Sequence, residues 1–206
     1  IKFIDVVESY HKDRWQELPE TIPLHSAILD MVVKNLPNPV DAQKYRVPRI
    51  WKGDLDSEIG QAMLNCDDNG PTIVCFTSAQ MDPHAGLVAT GRMFSGTIRE
   101  GDQIYLVGAK KNYRVQQVSM YMGAFREVVD RIDAGNIAAL LGLDMARAGE
   151  SLIDLEHKGL MVPFERIKYV SEPVITIAIE PKHPKELPRL VDLMHRLAIE
   201  DPNLVS

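Results

Sequence analysis

Gly91 and Gly96, in the run GRMFSG, have the two-glycine spacing of a phosphate-binding loop. Such a loop reads G-x-x-x-x-G-K-[ST], in which backbone amides surround the phosphates, the lysine reaches them and the hydroxyl holds magnesium. Thr97 and Ile98 stand where the lysine and the hydroxyl residue belong. The run therefore indicates no nucleotide site. Its glycines predict places where a strand bends or is closely approached, and residues 100–102 (EGD) predict the turn that returns the chain along the next strand.

No other group of residues has the spacing of an active site or a metal site. The histidines stand singly, without H-E-x-x-H or paired-ligand spacing; they are His11, His25, His84, His157, His183 and His195. Cys66 and Cys75 lie nine positions apart and match neither a zinc site nor a disulfide framework. We therefore predict no catalytic, cofactor-binding or metal-binding residue in this chain.

One segment of the chain has an excess of basic residues, which is a feature of nucleic-acid-binding surfaces. The segment from Arg92 to Arg131 contains seven basic and four acidic residues, which gives it a local charge of +3 in a chain of net charge −6. Three of them, Lys110, Lys111 and Arg114, lie in the loop AKKNYR. Two interpretations stay open on this pattern alone: a solvated hairpin tip, or a contact with nucleic-acid phosphates, where each neutralised phosphate adds salt-sensitive affinity.

The elements that must position these residues change character along the chain. Apolar spacing predicts amphipathic helices over FIDVVESYHKDRWQEL and TIPLHSAILDMVVKNL, the second with Thr21 as N-cap. PNPVDAQKYRVPR predicts an extended linker, because proline restricts itself and its predecessor. From about Val47 to Tyr169, short β runs alternate with turn residues and predict a closed antiparallel barrel or a sandwich, preceded by a short helix, SEIGQAML. EPVITIAIEP then predicts a strand, and KHPKELPRLVDLMHRLAIED a helix.

Length and composition are ordinary for a globular protein. The 206 residues suit one large domain or two small ones, with 45% hydrophobic and 25% charged residues. No apolar run approaches the roughly 20 residues of a membrane span. The chain begins IKFID, without Met, and its terminal helices and final strand–helix pair look like parts of incomplete domains. We therefore expect a segment of a longer protein.

Several of these runs together resemble the translation elongation factor 2 family in its archaeal form, whose bacterial relative is elongation factor G. The resemblance covers essentially the whole chain and is densest from Val47 to Leu204. It rests on VPRIWKGDLDSEIGQAMLNCDDNGP, DPHAGLVATGRMFSGTIREGDQIYLVGA, RVQQVSMYMG, AGNIAALLGL, ARAGE and PFERIKYVSEPVITIAIEPKHPKELPRLVDLMHRLAIEDPNL.

The resemblance implies a mainly β fold in three parts. Residues 1–40 correspond to the C-terminal helices of the GTPase domain, and residues 47–170 to domain II, a β-barrel of the elongation factor Tu type. Residues 172–206 correspond to the first strand and helix of domain III, a ferredoxin-like unit cut short. The family's phosphate loop, switch segments and N-K-x-D motif match no positions here.

The resemblance also implies function and partners. The parent protein is expected to be a cytoplasmic GTPase that uses GTP and magnesium and promotes ribosomal translocation of tRNA and mRNA. This chain, lacking the nucleotide site, is expected neither to bind nor to hydrolyse GTP. It is expected to be a ribosome-docking and relay barrel with no membrane contact. Lys110, Lys111 and Arg114 are the candidates for contact with small-subunit ribosomal RNA, and Arg92 is the candidate for contact with the parent's own GTPase domain.

Two alternatives stay open. One is the barrel of another translational GTPase, of the ribosome-protection, release-factor or spliceosomal type; the unbroken match around IWKGDLDSEIG disfavours it. The other is a free-standing barrel that binds a protein or a small ligand, which is disfavoured by the incomplete units at both ends.

Overall fold

The computed structural model describes residues 3–21, 23–82, 85–123, 125–165, 175–201 and 204. The chain divides into two compact units, Ile1–Asn38 and Pro39–Ser206. Within the described residues, no helix is both long and apolar enough to cross a membrane.

The first unit is helical: α1 spans Phe3–His11, α2 Leu18–Thr21 and α3 Leu24–Asn35, with a 3-10 turn at Trp15–Glu17. The prediction of one continuous first helix is wrong, because Asp13 adopts a left-handed conformation (φ 58°) that ends the helical run. The predicted N-cap of α3 is also wrong: Thr21 ends α2, and Pro23 takes the capping position in extended backbone. Neither α1 nor α3 buries a residue.

The second unit begins with α4, Pro39–Ile50, where an extended linker was predicted. Pro39 occupies the first helical position, where a missing N–H costs nothing, and Pro48 falls in the last turn. The helix buries Gln43 and Val47 against the rest of the unit. Burial of this face outweighs the proline cost that led to the wrong prediction.

Helix α5, Glu58–Asn65, confirms the short helix predicted at SEIGQAML. The hydroxyl of Ser57 caps it by accepting a hydrogen bond from the Gly60 amide at 3.1 Å. The helix ends at Cys66, which is left-handed (φ 54°).

Ten strands follow within the described residues, and all the pairings among them are antiparallel. They are β1 Ile73–Asp82, β2 Gly86–Ser95, β3 Thr97–Arg99, β4 Gln103–Leu106, β5 Lys111–Arg114, β6 Gln117–Met122, β7 Phe125–Val128, β8 Arg131–Asp133, β9 Ile137–Leu141 and β10 Ser151–Asp154. Eight of them form one sheet in the order β5-β4-β10-β1-β2-β9-β6-β7, and β3 pairs with β8.

Strands β5 and β6 close this sheet into a barrel. They are successive halves of one bent run: β5 pairs with β4, and β6 pairs with β9. Between them the Val115 amide donates to the Asp102 carbonyl (2.9 Å) and the Gln116 amide to the Leu141 carbonyl (3.0 Å). The pairings therefore run from β4 through β10, β1, β2 and β9 to β6, and return through β5 to β4. The strand pattern predicted a closed antiparallel barrel or a sandwich, and these pairings favour the barrel; the mainly β fold that the resemblance implied is confirmed.

Alternation along the strands separates the barrel interior from a second, outer core. Val74 and Phe76 of β1 belong to the larger buried cluster, with Leu106 and Leu152 of neighbouring strands. Ile73 and Cys75, which alternate with them along the strand, lie on the opposite face: Ile73 belongs to the other cluster and Cys75 packs against it. That cluster also contains Val47, Trp51, Ile59, Met63, Phe94 and Ile153. Helices α4 and α5 therefore cover one outer side of the barrel.

After the barrel, the predicted strand EPVITIAIEP is wrong where the structure describes it. Residues 175–181 carry no strand, and Ile175 and Ile177 are 73% and 74% exposed. An alternating segment becomes a strand only when another strand supplies hydrogen bonds, and none pairs with it among the described residues. The predicted helix is confirmed as α6, Leu187–Glu200. The predicted boundary at 170–172 lies outside the described residues.

Candidate nucleic-acid interface

The run GRMFSG has the conformation of a barrel strand. Gly91 pairs with Phe76 inside β2, and a Cβ there would lie 2.6 Å from the Cys75 carbonyl oxygen. Gly96 bends the chain between β2 and β3 with φ +75°, and a Cβ there would lie 2.5 Å from the Thr72 Cα. A phosphate loop leads into a helix, whereas this run leads into β3. The bend and the close approach are confirmed.

The predicted turn after this run is correct in position but not in its destination. The Arg99 amide donates to the Asp102 carboxylate at 2.7 Å, which tightens the turn. The next strand, β4, does not return along β3, because β3 pairs with β8 while β4 pairs with β5 and β10. The turn therefore carries the chain from a short separate ladder into the barrel wall.

The candidate RNA-contact residues lie on one β-hairpin, formed by β4, the turn 107–110 and β5; we call it the lysine hairpin. Lys110, Lys111 and Arg114 are all exposed. Lys110 ends the turn in a left-handed conformation (φ 53°), which is uncommon for a residue with a Cβ. None of the three takes part in an ion pair within the described part of the chain. The hairpin thus presents unneutralised positive charge.

A carboxylate holds the turn of this hairpin from beneath. Glu150, just before β10, accepts a hydrogen bond from the Gly108 amide at 2.7 Å and another from the Ser151 amide at 3.0 Å. A Cβ at Gly108 would lie 2.7 Å from the same carboxylate. Glu150 also contributes, after burial, to raising the pKa of the Cys75 thiol to about 11. This contact joins residues 42 positions apart in the sequence, so no local pattern indicates it.

An open cleft of about 490 Å³ lies along β5 and includes Lys111 and Arg114 in its lining. Lys111 Nζ lies 5.3 Å from the centroid of the Tyr113 ring, within cation–π range. Arg114 Nε donates to the Gly101 carbonyl at 3.2 Å, which directs the guanidinium across the turn. Glu100 also lines the cleft. The cleft therefore offers two cations beside an aromatic ring, with one acidic group at its edge.

The other basic residues of the region do not join this surface as one patch. Arg126 lies 3.6 Å from Asp82, and Arg131 lies 3.6 Å from Asp133, so acids of the chain neutralise both. Arg92 is on β2, opposite Cys75 and Ile137 of the neighbouring strands. The basic residues of this region therefore do not form one continuous patch, and Arg92 lies apart from the lysine hairpin.

Within the described residues, no three His, Cys, Asp or Glu side chains are grouped to hold a metal ion. One of the histidines has a structural partner: the Asp154 carboxylate accepts from the His157 amide at 2.9 Å and contacts its ring Nδ1 at 2.6 Å. This pair closes the turn after β10.

Comparison with known proteins agrees with this architecture. Residues 86–153 match the family model described as elongation factor Tu domain 2. These residues run from β2 to β10, so they contain most of the barrel wall and the lysine hairpin. The barrel is thus of the elongation factor Tu domain 2 class.

Comparison of the whole chain finds relatives of one kind. The chain is 58% identical over 207 residues to elongation factor 2 of Staphylothermus marinus, covering 100% of this chain and 28% of that protein. It is 57% identical over 202 residues to elongation factor 2 of Metallosphaera sedula, covering 98% and 27%. The chain is thus similar along its whole length to elongation factor 2, and it spans about 28% of the length of the first of these relatives.

Proposed function

We propose that this chain is a segment of a cytoplasmic translational GTPase that promotes GTP-dependent movement of tRNA and mRNA through the ribosome. Within that protein, residues 1–40 are the C-terminal helices of the GTPase domain, 47–170 are domain II and 172–206 begin domain III. GTP and magnesium belong to the parent protein, at motifs that match no position of this chain. The identity to elongation factor 2 along the chain supports this assignment.

The role proposed for the barrel is docking on the ribosome. The observation that carries it is the lysine hairpin, which presents Lys110, Lys111 and Arg114 without acidic partners in the described part of the chain. Lysine and arginine contacts to RNA phosphates release counterions, so such a surface binds more weakly as salt rises. Small-subunit ribosomal RNA is the proposed partner.

Glu150 is proposed to hold the turn of the lysine hairpin in the conformation that binds RNA. Its hydrogen bond to Gly108 fixes the turn on which Lys110 and Lys111 stand. A flexible turn would lose more conformational entropy on binding, so a preformed turn binds RNA more tightly for the same charges.

The test is the double variant Lys110→Glu/Lys111→Glu in the full-length factor, assayed by co-sedimentation with ribosomes across a salt series. Each lost phosphate contact lowers the slope of log affinity against log salt by roughly 0.7 to 0.9. We expect the slope to fall by about 1.5 and the affinity at low salt to fall about tenfold or more. Unchanged binding would contradict the proposed docking surface.

A matched control carries the same change of charge elsewhere. Lys182 and Lys185 are both exposed and lie outside the barrel. Lys182→Glu/Lys185→Glu is expected to alter binding much less than the hairpin variant. Equal effects of the two variants would mean that net charge, rather than the lysine hairpin, governs binding.

A further inference from the structure

A second basic position lies on the outside of the barrel, where helix α4 packs against strand β2. Gln43 of α4 donates from Nε2 to the Phe94 carbonyl of β2 at 2.8 Å, which fixes the helix to the strand. Arg46, one turn further along α4, is exposed, and Arg92 of β2 is half-buried. The two charges act on each other: burial, and then the charge of Arg46, lower the pKa of the Arg92 guanidinium.

No acid of the described chain neutralises this pair. Neither arginine takes part in an ion pair among the described residues. Arg92 Nε is shut off from solvent without a hydrogen-bond partner, and the guanidinium carbon lies 5.9 Å from the Phe94 ring centroid. Cys66 and Tyr45 oppose the lowering of its pKa, but neither side chain is a carboxylate. An anion bound beside both guanidinium groups would offset the repulsion between them.

We propose that Arg46 and Arg92 form a phosphate-binding site on this outer face. A carboxylate has only two oxygens, which two guanidinium forks would have to share. A phosphate group has further oxygens and accepts from two forks at once. Tyr45, beside Arg46 on the same helix and 46% exposed, adds a hydroxyl donor.

The phosphate comes either from an RNA backbone or from free phosphate, and both present the same oxygens. The site is built from α4 and β2, whereas the lysine hairpin is built from β4 and β5. It therefore does not rest on the docking role proposed for that hairpin. The prediction from the sequence that Arg92 contacts the GTPase domain is a competing explanation for the lack of an acidic partner. It requires a carboxylate of that domain in place of phosphate.

The experiment uses NMR of the ¹⁵N-labelled chain and follows the Arg92 Nε–Hε resonance, which burial protects from rapid exchange with water. Inorganic phosphate is the first probe, sodium acetate at equal ionic strength the second, and a short RNA without terminal phosphates the third. We expect a saturable shift with phosphate, with a Kd on the order of 1 mM, and little response to acetate. A stronger response to RNA assigns the backbone as the source, and a response to phosphate alone assigns the free anion.

Arg46→Gln is expected to weaken phosphate binding about tenfold, since one of the two forks is lost. Lys44→Gln is the control, because it removes the same charge from the same helix at a residue already paired with Asp41; its Kd should stay within about twofold of the unchanged chain. No shift with phosphate, an equal Kd for Arg46→Gln, or acetate as effective as phosphate would each overturn the proposal. The last of these results would instead favour a carboxylate on a facing protein domain.

Discussion

Replacing Gly96 by alanine tests whether the bend between β2 and β3 depends on glycine for conformation and for space. The residue has φ +75°, and an added Cβ would lie 2.5 Å from the Thr72 Cα and 2.7 Å from the Thr72 amide nitrogen. The left-handed conformation alone costs a residue with a Cβ about 1 to 2 kcal/mol. Because the clash is with backbone atoms, movement of the chain adds about 1 to 3 kcal/mol. We expect a total of about 3 kcal/mol.

Gly123 provides the matched control, because it shares the positive φ (+65°) but has nothing within 4 Å of an added Cβ. Gly123→Ala should therefore cost only about 1 kcal/mol. Urea unfolding in a Trp15→Phe background reports on the barrel unit, since the remaining Trp51 is 2% exposed and packs beneath α4 and α5. In thermal unfolding of a chain of this size, the Tm should fall by about 10 °C for Gly96→Ala and about 3 °C for Gly123→Ala.

Equal losses in the two variants would refute the argument, because they would leave no cost for the contact with Thr72. A loss confined to Gly123 would refute it more strongly, since the open position would then be the more demanding one. The difference between the variants carries the test, as it cancels the common cost of the left-handed backbone.

Two further predictions concern buried polar groups. Gln43→Met removes the hydrogen bonds that join α4 to the Met63 and Phe94 carbonyls, so it should lower the free energy of unfolding by about 2 kcal/mol. Gln61→Met, at an exposed site, is the control and should cost well under half of that. Similar urea midpoints for the two variants would contradict the role given to Gln43. Burial, and then Glu150, raise the pKa of the Cys75 thiol to about 11 from its usual 9.0, so its contribution to stability is complete below pH 9 and is lost as the pH rises through 11. The difference in unfolding free energy between the unchanged chain and Cys75→Ala should shrink by about 2 kcal/mol over that interval; a constant difference would contradict it.

The sequence predicted those elements whose signals are local. The β runs, the short helix at SEIGQAML and the bend at Gly96 depend on residues close together in the sequence, and all three are confirmed. An extended linker was predicted in place of α4 because its prolines disfavour a helix. The helix is stabilised by burial of Val47, and that burial depends on residues far along the chain. Arg46 lies in that helix, far from Arg92 in the sequence. The sequence does contain a helical signal here, because Gln43, Val47 and Ile50 follow one another at intervals of four and three positions.

The pairing of strands could be predicted only in part, for a physical reason. A turn such as Glu100–Asp102 specifies that the chain reverses, but the partner of the next strand is chosen by closure of the whole barrel. Here β4 joins β10 and β5 instead of β3, and β10 begins beside Glu150. This choice places an acidic residue from one end of the barrel sequence beneath a basic hairpin from its middle. The charge of Lys110 and Lys111 was therefore visible in the sequence, whereas the support that holds it in one conformation was not.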